Sequence, residues 1–255
     1  MIATITKIEK YNDHDVIFSF DCAEIAQKAL PGQFVEVRVS KTNDPFRRRP
    51  FSVFDTCGDV IKLLVRVVGR GTKIMSGWNA GDSTDILGPL GNSFSIDEQG
   101  SELILVSGGS GLAPINFLVQ KLAHTDRKVH LLYLYSQARE AELAAHLAPS
   151  ERLSVTLSHD KTGATIAPLL QEIISNAKGA SMIYTCGPES MMKIVVETSA
   201  ANNIPVKLSM EAAMGCGIGI CSCCVVPVRS KDGFTYKKAC ADGPIFSGEE
   251  IVFNE

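Results

Sequence analysis

Apolar and polar positions divide the chain into three textures. In the first, QFVEVRV (33–39) and VIKLLVRVV (60–68) are rich in β-branched residues and partly alternate, the pattern of strands with one covered face. Turn residues punctuate the stretch at Pro31-Gly32, Cys57-Gly58-Asp59 and Ala80-Gly81-Asp82. Several short strands in residues 1–98 favour a small barrel or sandwich. One short helix is predicted in GTKIMSGW, with Thr72 as its cap.

The second texture begins near residue 101. ELILVS (102–107) is a continuous apolar run, the mark of a strand buried on both faces, and LAPINFLVQKLAH (112–124) has helical spacing. VHLLYLYS (129–136), REAELAAHL (139–147), RLSVTLSH, TIAPLLQEIISNA, SMIYTCGP and ESMMKIVVETSAAN continue the alternation. Such a βαβα order predicts a parallel sheet with helices on both faces and a ligand-binding edge at the carboxyl ends of its strands. After VKLSM (206–210) the periodicity gives way to Gly- and Cys-rich sequence. The expected units are therefore 1–98, 99–205 and 206–255.

Composition narrows the class of protein without naming a chemistry. A net charge of −3 gives no reason to expect nucleic acid or an anionic membrane as partner. No apolar run approaches the roughly 18 residues that span a bilayer. Lys7, Glu9 and Lys10 stand where a secretory signal needs apolar residues, so a cytoplasmic location is expected.

The eight cysteines change the picture more. Cys22, Cys57 and Cys186 are scattered singly, whereas five fall between 216 and 240, a clustering that points to metal rather than disulfides. Cys216, Cys221 and Cys224 have the C-x4-C-x2-C spacing of plant-type ferredoxins, and Cys240 follows as a fourth ligand from a separate strand. Three thiolates from one short loop must converge on two irons. Gly215, Gly217 and Gly219 let the backbone curl tightly and bring its N–H groups toward the sulfurs. A structural zinc site stays open at this level, although zinc modules usually present two C-x2-C pairs and only one is present here. Cys223, between Ser222 and Cys224, is expected to be a non-ligand.

Two further segments carry nucleotide-type signals. RRRPFS (47–52), containing Arg49, Pro50, Phe51 and Ser52, reads either as a solvated strand edge or as an anion-binding fork. Its companion RVVGRGT (66–72) turns from a strand through Gly69 and Gly71 onto a helix start, where free N–H groups suit a pyrophosphate. In VSGGSGLAPI (106–115), Gly108, Gly109 and Gly111 offer small residues and exposed N–H groups at a strand–helix junction, although the segment is not a G-x-G-x-x-G fingerprint. Cys186, in TCGP, reads equally as a buried small hydrophobe or as a thiol facing the crevice at a strand's carboxyl end.

Taken in order, RRPFS, RVVGRGT, GPLGNSF, GGSGLAPI, TCGP, SMEAAMGCGIGICSCC and KKACADGPIF resemble the ferredoxin–NADP⁺ reductase superfamily. More closely they resemble the family of electron-transfer subunits of type B dihydroorotate dehydrogenase, over essentially the whole length. The resemblance implies a multidomain α+β architecture: an antiparallel β-barrel FAD domain, an α/β parallel-sheet nicotinamide domain and a C-terminal [2Fe–2S] cluster domain. It implies that Arg49 binds the FAD phosphate, that Phe51 contacts the flavin ring and that Ser52 lies near flavin N5. Val65, Arg66, Val67, Gly71 and Thr72 would bind the rest of FAD, and Cys186 would lie where nicotinamide meets flavin. Phe51 stands where the superfamily often has Tyr, and Cys223 at a position usually filled by another residue type.

The implied function is a relay: an FMN-containing dihydroorotate dehydrogenase catalytic subunit, in a heterotetramer, supplies electrons that pass through the cluster and FAD to NAD⁺ in pyrimidine (UMP) synthesis. A flavin suits that place because it converts between one-electron and two-electron carriers. Three other readings stand beside it. They are a subunit of the sulfide dehydrogenase or transhydrogenase type, a self-contained reductase feeding an oxygenase, and a zinc-stabilised module without redox activity. For the nicotinamide, Arg139 would meet a 2′-phosphate and Glu140 would repel one. NAD is expected from the resemblance.

Overall fold

A computed structural model describes residues 1–96, 100–147, 151–160, 163–177 and 179–253. The expected boundary between residues 98 and 99 lies outside the described residues.

The first unit is a closed antiparallel barrel, in the order β1 (Ile2–Lys10), β2 (Asp15–Asp21), β5 (Val60–Arg66), β4 (Arg49–Cys57), β3 (Phe34–Val37) and β6 (Ser83–Leu90), with β6 returning to pair with β1. Alternation along the strands fills its interior: Val35, Val37, Val53, Ile61, Leu63 and Val65 all turn inward and are buried. Between β2 and β3 lies the short helix α1 (Ala23–Ala26). The second helix, α2 (Arg70–Met75), starts two residues earlier than the sequence predicts. Thr72 sits inside its first turn and accepts the N–H groups of Val68 (3.1 Å) and Gly69 (3.2 Å). The Thr72 hydroxyl thus engages two backbone donors just ahead of the helix.

The second unit is built on β7 (Glu102–Gly108), α3 (Leu112–Leu122), β8 (Lys128–Tyr135), β9 (Leu153–His159), α4 (Ile166–Asn176), β10 (Ala180–Cys186), α5 (Glu189–Ala201) and β11 (Val206–Ser209). Leu103, Ile104, Leu105 and Val106 of β7 are fully buried, as the continuous apolar run requires. One face of the sheet is covered by α3, which also packs on the barrel: the Asn116 amide donates to the Phe54 carbonyl at 2.9 Å. The other face is covered by α4 and α5. REAELAAHL folds as a 3-10 helix, Ala138–His146.

The third unit adds a hairpin, β12 (Val225–Ser230) and β13 (Gly233–Lys238), and the short strand β14 (Ile245–Ser247). The six-stranded sheet runs β14-β11-β10-β7-β8-β9, with β14 antiparallel to β11. Residues 206–209 and 245–247, expected in a separate cluster unit, thus complete the nicotinamide-type sheet. A four-residue and a three-residue strand leave too little periodicity to be assigned from sequence. Phe34 of the barrel, Val195 of α5 and Cys224, Val226 and Cys240 of the cysteine region share one buried core, so the three units are mutually packed.

Candidate functional site

The flavin-type cleft has a volume of about 300 Å³ and lies between β4, α2, α3 and the segment after β11. Arg49, Pro50, Phe51, Ser52, Arg66 and Thr72 line it. The three consecutive arginines have separate fates. Arg48 is tied to Asp85, through the Asp85 carbonyl at 2.7 Å and its carboxylate, and this pairing holds the Asp85 carboxyl below its ordinary range. Arg49 lies directly over Gly71: a Cβ on Gly71 would stand 2.8 Å from Arg49 Nε, so a larger residue there would displace the guanidinium. Val65 points into the barrel core and Val67 packs against it, so their side chains do not reach the cleft. Any contact they make with a ligand runs through their backbone. Val68, Met210 and Glu211, not singled out in the sequence, also line this cleft.

Arg66 joins this cleft to the next. Its Nε donates to Asp15 Oδ1 at 2.8 Å and its Nη1 to Glu140 Oε1 at 2.6 Å. Asp15 and Glu140 are both buried, and Glu140 also accepts the N–H groups of Ser136 (2.8 Å) and Gln137 (3.2 Å). Arg66 Nη2 is buried without a partner among the described residues. Buried guanidinium nitrogens are normally bonded, so this donor, in a cleft that Arg49 also lines, fits the phosphates of a flavin dinucleotide.

The second cleft, of about 520 Å³, opens at the carboxyl ends of the parallel strands, where a nucleotide is expected in such a sheet. Gly108 and Gly109 line it, with Ser110, Glu140, Asp160 and Gly187. Arg66, Ser110, Met210 and Glu211 border both clefts, so the two meet at these residues. Gly111 is set back from the opening: a Cβ there would lie 2.3 Å from the Cys186 carbonyl oxygen, so the turn after β7 packs backbone to backbone on the end of β10. Cys186 is fully buried, hydrogen-bonded to Ser209, and lines neither cleft. Burial pushes its thiol well above the ordinary range. Of the two readings of Cys186, its burial, with Ser209 over the thiol and Gly111 against its carbonyl, favours the buried small side chain. Glu140, expected to repel a 2′-phosphate, is ion-paired with Arg66, which it shares with Asp15.

The four cysteines form two couples. Cys216 and Cys221 touch through their thiols, and the Cys221 N–H points at Cys216 Sγ at 3.4 Å. Cys224 and Cys240 form the buried couple, with the Cys240 N–H on Cys224 Sγ at 3.4 Å and the Gly219 N–H on Cys240 Sγ at 3.1 Å. Backbone N–H groups of Cys221 and Ile218 draw the Cys216 thiol down to about 6, whereas burial and the neighbouring Cys224 push Cys240 up to about 12. Two thiolates for each of two irons is the donor set of a [2Fe–2S] centre, and N–H groups on the sulfurs suit its reduced state. A single zinc ion needs its four ligands around one point, whereas these four cysteines fall into two couples. Cys223 is exposed and stands outside both couples.

A closed barrel fused to a parallel nucleotide-type sheet, with a cysteine loop appended, is the architecture of ferredoxin-reductase-type oxidoreductases. A chain of the NADH-dependent reduced ferredoxin–NADP oxidoreductase superposes with a TM-score of 0.81 at 26% identity, covering 99% of this chain and 90% of its own. The ferredoxin reductase in carbazole 1,9a-dioxygenase shares the fold, with a TM-score of 0.68 at 18% identity over 82% of this chain and 68% of its own. Residues 211–252 match the iron–sulfur cluster binding domain of dihydroorotate dehydrogenase B, and residues 105–197 the oxidoreductase NAD-binding domain. The dihydroorotate dehydrogenase B (NAD(+)) electron transfer subunit of Desulforamulus reducens is 37% identical, covering 92% of this chain and 91% of its own. That of Caldanaerobacter subterraneus subsp. tengcongensis is 36% identical over 89% of each. The chain belongs to the family of dihydroorotate dehydrogenase B electron transfer subunits.

Proposed function

We infer that this chain is the electron-transfer subunit through which an FMN-containing dihydroorotate dehydrogenase delivers electrons to NAD⁺ in pyrimidine synthesis, in the cytoplasm. The observation that carries the reading is the succession of one paired-thiol loop and two clefts that meet at Arg66, in a chain of this family. When bound, the cluster supplies one-electron transfer and FAD converts between single electrons and hydride exchange with NAD⁺. Cys216, Cys221, Cys224 and Cys240 hold the [2Fe–2S] cluster. Arg49, Pro50, Phe51, Ser52, Arg66 and Thr72, with the backbone of Val65, Val67 and Gly71, hold FAD. Gly108 and Gly109 admit the nicotinamide nucleotide, with Gly111 and Cys186 shaping the floor beneath it.

The partner meets the cluster side. Val225, Pro227, Phe234 and Tyr236 share the outer face of the β12–β13 hairpin, because Val226 and Val228 turn inward. Lys238 fastens this face to the cluster loop through the Gly219 carbonyl at 2.7 Å, and Ile220 there is 77% exposed. This largely apolar face, edged by Arg229 and Lys238 and next to the more exposed couple of cysteines, suits a protein partner that must bring its own redox centre close. A heterotetramer of two such chains and two catalytic subunits follows if the catalytic subunit is itself a dimer. Co-purification with the catalytic subunit, followed by a dihydroorotate:NAD⁺ assay, tests the reading. Coupled turnover that disappears when the chain is omitted is expected. An intact complex with full cofactor content and no turnover would contradict it and favour a partner of the NADH-dependent ferredoxin–NADP oxidoreductase type.

A further inference from the structure

Glu36 occupies a place that the relay leaves unexplained. It lies on β3, where Val35 and Val37 face the barrel core, so Glu36 stands on the outer face with Phe34. That face is covered by the cysteine region, and Glu36 is only 1% exposed. Neither carboxylate oxygen has a hydrogen-bond partner among the described residues. The nearest covering element is the cluster loop itself. Gly217, immediately after Cys216, has φ +71°, and a Cβ on it would lie 2.6 Å from Glu36 Cγ and 2.9 Å from Oε1. The loop therefore rests on the carboxyl, and only glycine at 217 allows it to do so. On either side of Glu36 in the sheet stand Pro50 of the flavin-cleft motif and Leu87. The charged groups that face it are Arg48, Arg49 and Cys216, and Arg48 is already engaged by Asp85.

A polar group buried without a partner costs about 1–3 kcal/mol, more when charged, and nothing in the packing of the barrel requires one here. We propose that Glu36 is a positioning residue for the iron–sulfur centre: its carboxyl seats the cluster loop at Gly217 and lowers the reduction potential of the cluster. The inference rests on the reading of Cys216, Cys221, Cys224 and Cys240 as cluster ligands. Burial raises the Glu36 carboxyl to about 7, so above neutrality it is charged, and a buried carboxylate facing Cys216 opposes the arrival of another electron, whereas an amide of the same shape does not.

The test is a potentiometric titration of the full chain, reconstituted with iron and sulfide, followed by electron paramagnetic resonance at mildly alkaline pH. Glu36→Gln is expected to keep iron and sulfide content and to shift the midpoint potential upward, with Glu36→Asp returning toward the wild type. An unchanged potential in a fully loaded Glu36→Gln variant overturns the proposal. Should Glu36→Gln lose the cluster, Glu36→Asp decides: recovery of cluster and potential supports the carboxyl's role, and loss in both reduces Glu36 to packing and overturns it. A wild-type chain that forms no [2Fe–2S] signal would instead refute the cluster reading on which this rests.

Discussion

Replacing Arg66 by Met leaves the buried carboxylates Asp15 and Glu140 facing an apolar side chain. Of the two ion-pair contacts removed, the one to Asp15, 2.8 Å long, lies within the barrel, and the one to Glu140, 2.6 Å long, bridges the barrel to the nicotinamide-type unit. Removing one partner of a buried pair costs about 3–5 kcal/mol, because the remaining charge stays desolvated. Arg66 is 23% exposed and Glu140 keeps its bonds to Ser136 and Gln137, so the low end applies, about 3 kcal/mol. At roughly 2–4 °C per kcal/mol for a chain of this size, the melting temperature should fall by roughly 6–12 °C. Urea unfolding of flavin-loaded chains, with Glu140→Gln and the double variant, completes a mutant cycle. The expected double variant loses less than the sum of the singles, since the shared contact is removed once. An Arg66→Met chain within about 0.5 kcal/mol of wild type, or strict additivity in the cycle, would refute the clamp.

Gly111→Ala forces a Cβ to within 2.3 Å of the Cys186 carbonyl, so the end of β10 must shift; a raised KM for NAD⁺ with FAD content retained is expected in steady-state kinetics. Cys223→Ala should leave iron and acid-labile sulfide at wild-type stoichiometry, whereas Cys224→Ala should abolish both; equal loss in the two would reassign the ligands. Brief alkylation of the native chain should modify the exposed Cys57 and Cys223 and spare Cys186, whose thiol is buried and pushed well above its usual range; mass spectrometry that finds Cys186 labelled first would contradict the placement. Asp85 has a folded pKa below its unfolded one, chiefly through Arg48, so the stability it gives is present above the ordinary carboxylate pKa and lost as pH falls through the lowered value. The difference between wild type and Asp85→Asn, measured by urea unfolding, should accordingly shrink toward zero in strong acid, and a difference that grows on acidification would reverse the sign.

Legibility from sequence followed the locality of each feature. The cysteine ligands were readable because three of the four lie in one nine-residue loop whose spacing is set by the geometry of two irons. The buried strands β7 and β8 announced themselves as apolar runs, and RRPFS with RVVGRGT marked the flavin cleft through adjacent residues. What was missed depends on contacts between distant segments. Glu36 reads in FVEV as a polar residue on the solvent face of an alternating strand; its burial exists only because the cluster loop folds over it. Glu140 reads as a loose charge until Arg66 and Asp15 arrive from the barrel. Met210 and Glu211, which border both clefts, follow a four-residue strand whose weak periodicity hid its membership of the sheet. The rule that directed attention to Cys186, that parallel strands deliver ligand contacts just beyond their carboxyl ends, applies better to these two.

The proposed function requires one chain to conduct electrons between a nicotinamide cleft and a paired-cysteine loop. Electron paramagnetic resonance of the isolated, FAD- and iron-loaded chain after anaerobic addition of NADH tests it directly. A reduced [2Fe–2S] signal approaching one spin per chain, absent when FAD is removed, is expected. A flavin bleached by NADH beside a cluster that dithionite reduces and NADH leaves silent would contradict it.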